Sequence, residues 1–265
     1  MMYQTQIPEG DLPRPRRRLR RTVFILPSIF TVGNIFCGYY AIIATMHANY
    51  DHAAQAIGIA IILDALDGKI ARLTNSATDF GVQLDSLADV ISFGIAPSIL
   101  AFFWALATVD HRLGWIAAFT FAICGAMRLA RFNIQAGNLK HFVGLPIPAG
   151  GGTIAAIIHF VQEPPGKIGA GVLVAIVFVL SFLMISTFKY NSLKNLTLGR
   201  KSHLTILILA LLVALIYNYS GWTLLVLAVA YAGSGPAARL YSLVRRRRRI
   251  TEEIQLHDPL KDHQV

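Results

Sequence analysis

Charge is scarce in this chain. Only 14% of its 265 residues are Asp, Glu, Lys or Arg, where a soluble domain carries roughly a quarter. Cysteine is nearly absent. Cys37 and Cys124 stand alone in distant apolar stretches, so the chain offers neither a disulfide framework nor a thiolate metal site. His47, His52, His111, His159 and His203 are scattered, with no two at metal-ligand spacing. No internal repeat and no second domain is visible. The net charge of +10 comes from runs that flank apolar segments and carry no interleaved aromatics. That pattern argues against nucleic acid as a partner.

Apolar sequence fills the rest. Hydrophobic residues make up 55% of the chain and the mean hydropathy is +0.55. Runs of about twenty apolar residues are transmembrane candidates. Eight are legible, at 24–46, 52–72, 80–108, 113–135, 148–162, 168–188, 203–219 and 221–243. The fold expected is therefore all-α, a polytopic membrane helical bundle. Pro146 and Pro148 bracket a turn where the fifth run starts.

Lys and Arg set the orientation. With the N-terminus in the cytoplasm, all of the 24 except Arg112 and Lys167 fall on the inner side. This asymmetry supports eight spans with both termini cytoplasmic. Three regions follow: a basic interfacial segment at 1–23, a membrane catalytic domain at 24–243, and a basic then polar cytoplasmic tail at 244–265. The first apolar run is too long for a secretory signal and no small-residue cleavage site follows it. Arg14–Arg21 and Arg245–Arg249 suit anionic lipid headgroups.

Against this background stand four carboxylates within twenty-six residues: Asp64, Asp67, Asp85 and Asp89. The first pair is spaced i,i+3 and the second i,i+4, so on helices each pair shares a face. Carboxylates at membrane depth are costly and mark function by default. Antiparallel helices joined by a short turn would bring all four to one depth, just inside the cytoplasmic face. Such a cluster repels itself unless cations sit in it, and oxygen ligands suit Mg²⁺, Mn²⁺ or Ca²⁺. Gly68 and Gly81 permit close approach, and Arg72 can grip a phosphate oxygen. The competing reading, salt bridges among Asp64, Asp67 and Arg72, leaves one Arg against four acids.

These residues also carry a resemblance. The pattern D-x2-D-G-x2-A-R-x8-G-x3-D-x3-D is matched throughout by Asp64, Asp67, Gly68, Ala71, Arg72, Gly81, Asp85 and Asp89. It is the signature of the CDP-alcohol phosphotransferases. The resemblance implies a pair of divalent ions, Mg²⁺ or Mn²⁺, on the four aspartates, with Asp89 as general base. It implies that Asp67, Gly68, Ala71, Arg72 and Gly81 meet the cytidine nucleotide. The implied reaction displaces CMP from a CDP-linked alcohol as a second alcohol attacks the β-phosphorus.

Further segments resemble the phosphatidylserine synthase branch of that family: LPSIFTVGNIFCGYYAI (Leu26–Ile42), VISFGIAPS (Val90–Ser98), RLARFN (Arg128–Asn133), FVGLPIPAGG (Phe142–Gly151) and STFKYNSLK (Ser186–Lys194). They imply CDP-diacylglycerol as donor and L-serine as acceptor, in a homodimer of the plasma (inner) membrane whose site faces the cytoplasm. A serine carboxylate needs a cationic or amide partner, and Arg128, Arg131 and Asn133 are the nearest candidates. Headgroup anchoring is the other reading for each Arg. Phe93 and Pro97 shape the acceptor pocket or kink the third helix. Thr31 and Asn34, at i,i+3 in the first helix, face the nucleotide or bond between helices. Lys189 reads as a snorkelling interfacial side chain.

Three rivals remain at this level. A sister enzyme would use glycerol 3-phosphate or inositol phosphate as acceptor, or an archaeal ether lipid as donor. A divalent-cation transporter would spread its carboxylates across the membrane. A lipid scaffold would leave the acids unexplained.

Overall fold

The computed structural model describes residues 17–73, 78–135, 142–190 and 220–256. At 17–28, 72, 135, 142–143, 189–190 and 240–256 only the backbone is described. Expectations for 203–219 and for both chain ends lie outside the described residues, as do the side chains of Arg72, Lys189 and Arg245–Arg249.

Seven helices run through the described residues: α1 (Arg17–Met46), α2 (Tyr50–Leu73), α3 (Asp79–Val109), α4 (His111–Gln135), α5 (Ile147–Val161), α6 (Lys167–Ile185) and α7 (Ser220–Leu256). Five are long and apolar enough to cross a membrane: α1 from Ile29, α3, α4, α6, and α7 as far as Arg239. This is a helical membrane protein. The remaining two helices depart for visible reasons. α5 has only 15 residues, and α2 is interrupted by Asp64, Asp67, Lys69 and Arg72. The apolar runs locate the other helix starts within about two residues, but α1 begins at Arg17, well before the run at 24, and α7 continues through the arginine run to Leu256. Arg is a good helix former, so loss of hydrophobicity need not end the helix. One small exception to the all-α expectation is an antiparallel pair, β1 (Phe142–Val143) with β2 (Lys189–Tyr190).

α1 lies against α2 and α3, α2 against α5, and α4 against α6, while α7 covers α5. Small residues bring the backbones close, as lipid-embedded helices require. A Cβ on Gly38 of α1 would come within 2.8 Å of the Ser92 Cα on α3. The Ser92 hydroxyl donates to the Asn34 carbonyl at 2.8 Å across the same contact.

α3 is not uniform. Val90–Ile95 forms a π-helical turn, closed by the Ala96 N–H on the Ile91 carbonyl. Pro97 explains it: the proline ring crowds the carbonyl four residues back and offers no N–H to it. That carbonyl belongs to Phe93, and Gly151 of α5 sits against it. A Cβ there would be 2.7 Å from the Phe93 oxygen and 3.0 Å from Pro97 Cγ. The widened turn begins directly after Asp89, a common placement beside functional residues.

Candidate active site

Asp64 and Asp67 lie in the last turns of α2, and Asp85 and Asp89 on the first turns of α3. Thr78 caps α3, its hydroxyl accepting from the Gly81 N–H at 3.0 Å. A Cβ on Gly81 would lie 3.2 Å from that same oxygen, so Gly81 fits the cap closely. Carboxylate oxygens of Asp64, Asp85 and Asp89 all lie within 4.8 Å of one another. Asp67 stands beside them, near enough to act electrostatically on Asp64 and Asp85. Its second oxygen accepts from the Thr31 hydroxyl of α1.

Asp67 and Asp89 are buried, at 5% and 8% exposure. One oxygen each of Asp67, Asp85 and Asp89 is buried without a hydrogen-bond partner. Charged carboxylates this close repel by roughly 3–4 kcal/mol per pair at an effective dielectric of about 20. Among the described residues the one ion pair is His159 with Asp51, so no described cation lies within 4.0 Å of the cluster. Orphaned, converging, oxygen-only ligands fit a hard divalent cation.

The other expected residues surround this centre. Asn34 has no exposed surface, and its amide lies beside Asp89 without reaching hydrogen-bond geometry. Gly68 and Ala71 continue α2 past Asp67. Arg128 of α4 is 7% exposed, within electrostatic reach of Asp89, and its guanidinium carbon lies 5.7 Å from the Phe132 ring centre. Asn133 donates to the Ser86 hydroxyl at 2.9 Å, next to Asp85. Arg131 points to the end of α6, with Nη1 on the Ile185 carbonyl at 3.1 Å and Nη2 near that of Ser186 at 3.5 Å. It thereby satisfies carbonyls that a helix end leaves open. Phe93 lies wholly inside the core and Pro97 packs on Gly151.

Some interactions between helices escape sequence reasoning. Tyr231 of α7 lies within electrostatic reach of Arg128. His159 of α5 bonds Asp51 of α2 through Nδ1 at 2.5 Å and Ser220 of α7 through Nε2 at 2.9 Å. The partners lie too far apart along the chain for any local pattern to mark them.

A membrane bundle that gathers four aspartates at adjoining helix ends defines a class of metal-assisted lipid enzyme. The family model for CDP-alcohol phosphatidyltransferases matches residues 24–184, and the chain belongs to that family, which is divalent-metal dependent in general. It is similar to the CDP-diacylglycerol–serine O-phosphatidyltransferase of Bacillus subtilis, 39% identical over 181 residues that cover 66% of this chain and 97% of that protein. The protein of that name from Helicobacter pylori (strain ATCC 700392 / 26695) is 34% identical over 199 residues, 72% of this chain and 82% of the other. An archaetidylserine synthase of Methanothermobacter thermautotrophicus is 36% identical over 175 residues, 64% and 71% of the two chains.

Proposed function

We propose that this chain transfers a phosphatidyl group from CDP-diacylglycerol to the hydroxyl of L-serine, giving phosphatidylserine and CMP. The observation that carries the reading is the trio of half-buried Asp64 and Asp85 with buried Asp89, their oxygens within 4.8 Å, in a chain whose relatives bear serine-transferase names.

The serine oxygen attacks the β-phosphorus of the donor. A new P–O bond forms there, and the bond to the bridging oxygen breaks, leaving CMP with that oxygen. The serine proton passes to Asp89, whose unpartnered oxygen is free to take it. A positioned base of this kind contributes about 10²–10⁴-fold. Asp64, Asp67, Asp85 and Asp89 would hold Mg²⁺ or Mn²⁺, two ions in our reading. When bound, such ions neutralise the diphosphate and the departing CMP.

Thr31 steadies Asp67, while Asn34, Gly68, Ala71, Arg72 and Gly81 form the nucleotide side. Arg128 is the cation for the serine carboxylate. Asn133 steadies the turn bearing Asp85 through Ser86. Arg131, Phe93 and Pro97 shape the acceptor side by fixing α6 and α3. Eight spans, cytoplasmic termini, an inner-membrane location with the site facing the cytoplasm, and a homodimer complete the proposal. So does the division into 1–23, 24–243 and 244–265. The asymmetry of Lys and Arg supports this orientation.

An ether-linked archaeal donor is a second reading, favoured by the likeness to an archaetidylserine synthase. Radiolabelled serine, supplied with CDP-diacylglycerol or its ether counterpart, with and without EDTA, tests both. Labelled lipid and chelator sensitivity are expected. Turnover with glycerol 3-phosphate or inositol phosphate in place of serine would overturn the acceptor assignment.

A further inference from the structure

A second group of reactive side chains stands apart from the aspartate cluster. Asp51 lies in the first turn of α2, thirteen residues before Asp64, which is about 20 Å along a helix axis. His159 lies in the last turn of α5, and Ser220 at the start of α7. These three meet at the end of α2 away from the aspartates. His159 Nδ1 lies 2.5 Å from Asp51 Oδ1, and its Nε2 lies 2.9 Å from Ser220 Oγ.

The chemistry of the partners fixes the direction of both bonds. An ionised carboxylate only accepts, so Nδ1 carries the ring proton and Nε2 of the neutral imidazole accepts from the Ser220 hydroxyl. Asp51 is itself held from its other oxygen, which accepts from Gln55 Nε2 at 2.9 Å. The imidazole is largely shielded, with 14% of its surface exposed. Any polar pair would fasten two helices. Here the residue types and their order are those of a hydroxyl nucleophile, its base and the group that orients the base, the arrangement by which unrelated hydrolases activate serine.

The surroundings of Ser220 are apolar and aromatic. Gly221 lets α7 close on α5, since a Cβ there would lie 3.4 Å from the Phe160 Cα. The Trp222 and Phe160 rings meet edge to face, with centroids 4.4 Å apart. Trp222 is nevertheless 63% exposed. An exposed Trp at the end of a membrane helix suits the headgroup level of a bilayer, where acyl chains begin.

We propose that Ser220, His159 and Asp51 form a second active site, which hydrolyses acyl esters of lipid character. Ser220 Oγ attacks the ester carbonyl carbon while its proton passes to His159 Nε2. The carbon–oxygen bond to the alcohol breaks, and the alcohol leaves with that proton. Water then attacks the acyl-serine and gives a proton to Nε2. The carboxylic acid departs, and the proton returns to Ser220 Oγ. Asp51 holds the ring in the required tautomer and offsets the charge of the imidazolium.

The test treats full-length protein in lipid nanodiscs with a dodecyl fluorophosphonate, which loses fluoride as a serine oxygen bonds to its phosphorus. Peptide mass spectrometry maps the adducts, and the rate at each serine is compared with that in the denatured chain. Ser220 should react at least about 100-fold faster in the folded protein, the lower end of what a positioned base contributes. Asp51→Asn keeps the serine and the ring, and should cut that rate by at least about 100-fold. The folded protein should also hydrolyse 4-nitrophenyl decanoate at least about tenfold faster than the acetate, because the longer chain buries apolar surface. Ser220→Ala should lose this hydrolysis. The comparison of folded with denatured wild type needs no substitution, so it decides even if a variant does not fold. A Ser220 no more reactive in the folded protein would overturn the inference and leave the three residues as a fastening between helices. Equal hydrolysis of decanoate and acetate would overturn the lipid class of the substrate. Phosphatidyl transfer, read separately with labelled serine, stands or falls independently of these outcomes.

Discussion

The hydroxyl of Thr31 donates to the carboxylate of Asp67, joining α1 to the acidic end of α2 across 36 positions of sequence. Within a bundle, a carboxylate among other carboxylates needs a donor to hold its orientation. Thr31 is 4% exposed, so water cannot replace it readily. Thr31→Val keeps the shape and removes the donor. It is expected to lower kcat/KM for the CDP-lipid about tenfold, the worth of one hydrogen bond to a charged group. Thr31→Ser should stay within about threefold of wild type. Parallel kinetics on the two variants check this, and equal losses would mean that the hydrogen bond to Asp67 is not the source of the effect.

Asp89 is the acid most deeply committed to chemistry in this reading. Asp89→Asn preserves volume and removes both basicity and charge. Turnover is expected to fall by about 10²–10⁴-fold or more, while binding of CDP-diacylglycerol survives. Equilibrium binding of the labelled donor beside an initial-rate assay separates the two. Wild-type rates in the variant would remove Asp89 from the role of base.

Much of this site is legible in the chain's own spacing, because helical periodicity converts directly into geometry. Asp64 with Asp67, and Asp85 with Asp89, need only two antiparallel helices to converge. Thr31 and Asn34 show themselves as polar residues in an apolar helix. Arg131 is ambiguous, since a basic residue at a helix end suits lipid, ligand or carbonyl alike. Only the neighbouring end of α6 distinguishes these uses. Pro97 announces a disturbance in α3, but not that the chain widens into a π turn. Tyr231 carries no signal at all, because an aromatic in an apolar helix looks the same facing lipid or packed against the core.

Gly151 faces backbone rather than a movable side chain, which makes its substitution informative. In Gly151→Ala the new methyl would meet the Phe93 carbonyl at 2.7 Å and the Phe93 Cα at 3.1 Å. α5 and α3 must then part, at a cost of about 1–3 kcal/mol. A lower unfolding temperature in detergent is expected. Gly171→Ala has nothing within 4 Å of its new atom and serves as the control, with stability unchanged or slightly raised by the better helix former. Equal melting temperatures for the two variants would contradict the packing described.

Chelation tests the acidic cluster without any substitution. Three carboxylates with oxygens inside 4.8 Å repel one another when charged, and no described cation lies within 4.0 Å to offset them. If divalent ions are the missing counter-charge, EDTA should abolish transfer and lower the unfolding temperature together. Addition of Mg²⁺ or Mn²⁺ should restore both, since binding to the folded state alone raises stability with ligand concentration. Asp85→Asn reduces the repulsion, so its unfolding temperature should respond less to EDTA than that of wild type, while its activity stays low. Calorimetric or fluorescence melting on both proteins, with and without chelator, reads this difference. A wild type whose melting temperature and turnover both ignore EDTA would mean that the acids are held together by something other than metal.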